Sequence, residues 1–192
     1  MSNQNTDSEI CVGLFGTCGA SQWRNTFIAE YNQRNILFFN PQVPDGTWSA
    51  GMVHDENRHF NTDQIILFPV TSETTGQGSM AEIGFSIINA LRQNRNRYFI
   101  FLVDDICLDH TASQDAVSDS NRSRQLVKSK LITESLSNDN IFLVQTLDDM
   151  LELSVLLYDS RLYTQQLKTR IAENIHIVDY LTAQEKWCKL KN

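Results

Sequence analysis

Five short apolar runs punctuate the chain, at residues 10–15, 35–39, 64–70, 98–103 and 141–144. Each is β-rich and almost continuously apolar, the pattern of strands buried on both faces. The stretches between them carry helical spacing. Trp23, Phe27, Ile28 and Tyr31 line one such helix, and a more polar one is expected from about 50 to 61 with Asp55, Glu56, Arg58 and His59. Met80, Ile83, Ile87, Ile88 and Leu91 mark a third. Residues 120–136 read as a fourth, basic at its start (Arg122, Arg124, Lys128, Lys130), and 147–158 as an apolar fifth. The basic face is expected to be solvated surface rather than a phosphate clamp. Strand and helix thus alternate, which predicts an α/β domain: a parallel sheet with helices on both faces.

That unit occupies residues 10–158. Residues 1–9 read as a short disordered lead. Residues 159–192 exceed what the unit needs, and Leu162, Leu167, Ile171, Ile175, Val178 and Leu181 suggest extra C-terminal helix, with 174–178 also readable as a strand. Packing on the domain or on a subunit partner would equally bury that stripe.

Composition narrows the function. The chain has 192 residues, of which 41% are hydrophobic and 20% charged, ordinary for one globular domain. Its net charge of -7 argues against nucleic acid and against an anionic membrane surface. No apolar run approaches a membrane span, and the first residues lack the parts of a signal peptide. Cys11, Cys18, Cys107 and Cys188 show no CxxC spacing, and Cys11 lies within a strand pattern, so reduced thiols and a cytoplasmic location are expected. His54, His59, His110 and His176 give no paired-ligand spacing, so neither a metal site nor a cofactor is expected.

Two strand-to-helix turns carry the candidate chemistry. The first, from Gly16 to Ser21, is a glycine loop of the kind that offers backbone N–H groups to an anion or a sugar; a tight turn without a ligand fits equally. The second, TSETTGQGS at residues 71–79, leads into a helix bearing Glu82. Ser79-Met80-Ala81-Glu82 fits an S-x-x-E capping box, which would make the glutamate structural. In open α/β sheets, however, ligands bind outside the carboxyl ends of the strands, which is where this turn lies.

The ordered set of Gly16-x-x-Gly19 with Trp23 and Arg24, Phe39-Asn40-Pro41, Asp63 opening the third strand, and Gly78-Ser79-Met80-Ala81-Glu82-Ile83-Gly84-Phe85 resembles the nucleoside 2-deoxyribosyltransferase superfamily, in its deoxyribosyltransferase-like branch. The resemblance covers roughly residues 10–105. It implies a flavodoxin-like sheet of order 2-1-3-4-5, with the two turns facing each other across one crevice. It also implies cleavage or transfer at the N-glycosidic bond of a nucleoside or nucleotide. By motif Glu82 would be the nucleophile, forming a glycosyl-enzyme intermediate, and Asp63 the acid. Gly16, Thr17, Gly19, Trp23, Asn40, Gly78 and Ser79 would bind substrate. A homo-oligomer is expected with it. One departure stands out: transferases of the family carry an aspartate six residues before the glutamate, where this chain has Gly76. Two other readings use the same crevice: a glycohydrolase acting on NAD or another nucleotide conjugate, and a catalytically silent nucleotide-binding sensor.

The chemistry is consistent with the resemblance. An oxocarbenium-like state needs a carboxylate to stabilise or trap it, and the leaving base needs a proton. Should Asp63 not serve as the acid, Asp55 and Glu56 on the preceding helix are the substitutes.

Overall fold

The computed structural model describes residues 9–19, 21–42, 49–84 and 97–174. Residues 8–158 form one compact unit. Its strands are β1 (Val12–Leu14), β2 (Phe38–Phe39), β3 (Ile65–Val70), β4 (Tyr98–Val103) and β5 (Ile141–Val144). All neighbouring strands pair in parallel, in the order β2-β1-β3-β4-β5. The protein is therefore a flavodoxin-like, doubly wound α/β domain, with β1 and β3 adjacent inside the sheet. The helices are α1 (Trp23–Arg34), α2 (Ala50–Thr62), α3 (residues 77–84 as described), α4 (Gln114–Ser137) and α5 (Leu147–Asn174).

Period-two alternation on the central strands builds the core on both faces. Ile66, Phe68 and Val70 of β3 join Phe99, Phe101 and Val103 of β4, with Met80 and Ile83 of α3 and Leu131 of α4 packed on them. Ile65, Leu67, Ile100 and Leu102 face the other way, against Trp23, Phe27 and Tyr31 of α1 and Met150 and Val155 of α5. Nine of these strand residues are at most 2% exposed, and the tenth, Val103, is at 3%. That explains the near-continuous apolar runs in the sequence.

Several boundaries differ from expectation. β1 and β2 are shorter than their apolar runs, since pairing is confined to Val12–Leu14 in the first and to Phe38–Phe39, the end of the run, in the second. α4 starts earlier than expected because Ser113 caps it, its Oγ accepting from Ala116 N–H at 3.2 Å. α5 continues past Tyr158, and residues 159–174, the described part of a second unit, are helical. The alternative strand at 174–178 lies almost wholly outside the described residues, as do Ile87, Ile88 and Leu91. Among the described residues no helix is long and apolar enough to cross a membrane.

Candidate active site

The chain turns outward in opposite senses after β1 and β3, and a crevice of about 410 Å³ opens at that switch point. The β1–α1 loop (Phe15 to Gly19) forms one wall. Residues 74–79, together with Glu82 of α3, form the other. Pro41 after β2 and Glu56 of α2 close the side.

Backbone geometry at the base of the crevice accounts for two residues that look anomalous in the sequence. Pro69 lies in a central strand, where a missing N–H is usually costly. β1 has already ended at that level, and the Pro69 carbonyl instead accepts from Thr17 N–H at 2.8 Å and Thr17 Oγ1 at 3.0 Å. Gly16 lies directly over it with φ +90°, and a Cβ there would come within 2.5 Å of the Pro69 oxygen. Only glycine fits. Thr17 Oγ1 also accepts from Thr71 N–H at 3.1 Å, which ties the two loops to each other.

A buried arginine holds each loop from behind. Arg24 donates to the carbonyls of Leu14 (3.0 Å), Thr17 (2.6 Å) and Gly16 (3.3 Å). Trp23 adds its indole N–H to the Thr17 carbonyl at 2.9 Å. Arg124 of α4 donates to the carbonyls of Val70 (2.9 Å), Asp104 (3.2 Å), Thr71 (2.8 Å) and Thr74 (2.7 Å). Burial lowers the pKa of both guanidiniums from the usual arginine value. The basic start of α4 is thus not uniformly solvated: Arg122 pairs with Asp119 and Lys128 with Asp105 at the surface, while Arg124 is a fully buried brace.

The acidic groups of the crevice are Glu56 and Glu82. Glu82 stands exposed at the wall, yet desolvation by its surroundings raises its pKa. Desolvation raises the pKa of Glu56 as well, the charge of Glu82 raises it further, and Arg24 opposes the shift. Both carboxylates line the one crevice, and the charge of Glu82 is felt at Glu56. The capping-box reading of Glu82 does not hold. Met80 N–H already bonds to the Gly76 carbonyl at 2.9 Å, so the helix begins before Ser79 and Glu82 lies beyond its first turn.

Among the expected site residues, Gly16, Thr17, Gly19, Gly78, Ser79 and Glu82 line the crevice. Trp23 and Asn40 do not. Trp23 is buried beneath the β1–α1 loop, and Asn40 Oδ1 accepts from Gln42 N–H at 3.1 Å to turn the chain. Asp63 is a clear correction. It precedes β3, at the amino end of the sheet, with the whole strand between it and the crevice. There it is 2% exposed and accepts from His59 Nδ1 at 2.9 Å. The acid supplied by α2 to the crevice is Glu56, the substitute read from the same helix. Cys18, Thr74, Thr75 and Gln77 also line the crevice without having been singled out. Only their place in turns after strands could have flagged them.

Gly76 has a structural reason. Its φ is +62°, and a Cβ would lie 2.8 Å from Val70 Cγ1 and 3.3 Å from Arg124 Nη2. An aspartate at this point would strain the loop that Arg124 holds.

Fold and crevice together define an open, doubly wound α/β domain with an acid-walled cleft at its switch point. No family model matches the sequence, and no curated protein matches it. Among solved structures, the crystal structure of the RPS4 and RRS1 TIR domain heterodimer is similar with a TM-score of 0.47 and 6% identity, over 78% of this chain and 97% of that one. That likeness is too slight to bear on the chemistry of the crevice.

Proposed function

We propose that the protein cleaves the N-glycosidic bond of a nucleoside or nucleotide, with Glu82 as nucleophile and Glu56 as proton donor. The observation that carries this reading is the pair of carboxylates, Glu56 and Glu82, that two different helices bring to one crevice. Glycosidic cleavage needs two such groups in opposite protonation states. Glu56 is the member whose proton is favoured by its partner's charge. Ionised Glu82 would stabilise the oxocarbenium-like sugar and trap it as an ester, while Glu56 protonates the departing base. The resemblance of residues 78–85 to the deoxyribosyltransferase motif supports the same role for Glu82. A volume of about 410 Å³ is in the range of small-ligand clefts. With glycine at position 76, the base would be met by Thr74, Thr75 and Gln77 rather than by an additional carboxylate.

The test is incubation with a panel of nucleosides, nucleotides and NAD, following free base by chromatography, with a second base added to detect transfer. Release of base is expected. Glu82→Gln should reduce it by ~10³-fold or more with ligand binding retained. Glu56→Gln should reduce it by ~10²–10⁴ for ordinary bases and much less for a good leaving group. Tight binding without product from any member would replace this reading with a nucleotide sensor. Full activity in Glu82→Gln would end it.

A further inference from the structure

At the opposite end of the sheet from the crevice, three side chains of metal-binding type converge. They are Cys11 at the entrance to β1, His59 in the last turn of α2 and Asp63 just before β3. Their donor atoms all lie within 4.8 Å of one another. Asp63 Oδ1 accepts from His59 Nδ1 at 2.9 Å; Asp63 Oδ2 is buried without a well-formed hydrogen bond among the described residues, and the Cys11 thiol and Asp63 carboxyl interact directly. A buried carboxylate oxygen without a well-formed hydrogen bond carries a desolvation cost that a cation would remove. Arg97 does not do so. Its Nε and Nη2 go to the carbonyls of Asp63 (2.6 Å) and Phe60 (2.5 Å), and its Nη1 is itself buried without a partner.

We propose that Cys11, His59 and Asp63 form a binding site for a zinc-type divalent transition metal, joining β1, α2 and β3 at the amino end of the sheet. The donor set of thiolate, imidazole and carboxylate suits Zn²⁺ and is poorly matched to Mg²⁺ or Ca²⁺. Tetrahedral zinc at ordinary bond lengths spaces one sulfur and two nitrogen or oxygen ligands about 3.3–3.6 Å apart, inside the 4.8 Å within which the three donors lie. The His59 ring is already oriented for the role, stacked on Phe39 at 3.8 Å between centroids and 5° between planes. Without metal, Arg58 Nη2 lies 2.9 Å from His59 Nε2, which places the ring proton on Nδ1, facing Asp63. On binding, Nδ1 gives its lone pair to the metal, the ring proton moves to Nε2, and the half-exposed Arg58 turns into solvent. The Cys11 thiol loses its proton to solvent. Water completes the fourth position. The spacing of histidines along the sequence could not reveal this site, because one ligand comes from a different element and lies far away in the chain. It is independent of the function proposed for the crevice.

The test uses the full-length protein, reduced and stripped with a chelator, and titrated with Co²⁺. A thiolate-to-cobalt absorption band should rise to saturation at one equivalent and be displaced by Zn²⁺. The band should persist in Cys18→Ser and vanish in Cys11→Ser. His59→Ala and Asp63→Asn should each weaken binding by at least the ~100-fold that outer-shell changes alone can cost. X-ray absorption at the zinc edge of the wild-type protein gives a reading that does not depend on whether a ligand variant folds. One sulfur at about 2.3 Å with nitrogen or oxygen neighbours at about 2.0–2.1 Å is expected. No saturating band, no sulfur in the inner shell, or an undiminished band in Cys11→Ser would overturn the site.

Discussion

Arg24 and Arg124 solve the same problem at two different loops. A loop that ends a buried strand leaves main-chain carbonyls turned away from water, and such groups need donors. A planar guanidinium supplies several donors in diverging directions, and a lysine cannot. Arg124→Lys should therefore lower unfolding free energy by ~2–4 kcal/mol, because the carbonyls of Val70, Thr71, Thr74 and Asp104 cannot all be reached by one ammonium. Arg122→Lys, two residues earlier on the exposed face, should stay within about 0.5 kcal/mol. Denaturant titration of the two variants side by side checks both. At this scale the sequence was only half legible. Arg124 sits among basic neighbours that are on the surface, and nothing in the local pattern separates it from them. Gly16 and Gly76 stood out as glycines in turns, but the Pro69 carbonyl and the Val70 methyl that require them come from β3.

The same helix, α2, presents Glu56 to the crevice and His59 to the far end of the sheet, and this geometry explains where the sequence reading of the acid went astray. Asp63 opens β3, and β3 then advances about 20 Å over its 6 residues before reaching the crevice. An acid at the start of a parallel strand is therefore at the wrong end of the sheet, whatever motif it matches. By contrast, a helix that crosses back over the sheet begins near the carboxyl ends, so its first turns supply side chains to the site. The carboxylate pair leads to a pH prediction. Glu82 has a folded pKa raised above its unfolded value, so the folded state holds a proton that the unfolded state has released in the interval between them. Its contribution to stability is full below the unfolded pKa and is lost as pH rises through the folded one. Glu82→Gln should match wild type in acid and become the more stable of the two as pH passes above the folded pKa, as read by melting temperature across a pH series. In the same variant the Glu56 carboxyl, relieved of its neighbour's charge, should titrate lower, measurable by carbon-detected NMR. An unmoved Glu56 titration would mean that the two groups do not sense each other.

For the whole molecule, self-association is an expectation that rests on the apolar surface along α5. Leu162, Tyr163, Leu167 and Ile171 are 38%, 67%, 45% and 46% exposed. Contiguous apolar surface on a helix is the kind that partners cover. Light scattering at micromolar concentration should give at least a dimer mass, and Tyr163→Glu with Leu167→Glu should return the monomer. A monomeric wild type would refute this. The strands of the sheet were legible from sequence because burial on both faces leaves an unmistakable apolar run, whereas their order came only with the family resemblance. The continuation of α5 was legible only as a stripe, since periodicity reports a face to be covered and not what covers it.

Because the two arginines grip the crevice loops by their carbonyls, they are indifferent to most of the side chains those loops display. Thr75 and Gln77 can be exchanged without touching the groups that fix the backbone beneath them, whereas Gly16, Thr17 and Gly76 cannot; Cys18 and Thr74 also belong to the frame, Cys18 Sγ accepting from Arg24 Nη2 and Thr74 Oγ1 from Gly76 N–H. Such a site separates the inheritance of shape from the inheritance of preference. Related chains could drift toward different ligands by changing a few displayed residues while the frame stays constant, and a library randomised at Thr75 and Gln77 would remain folded.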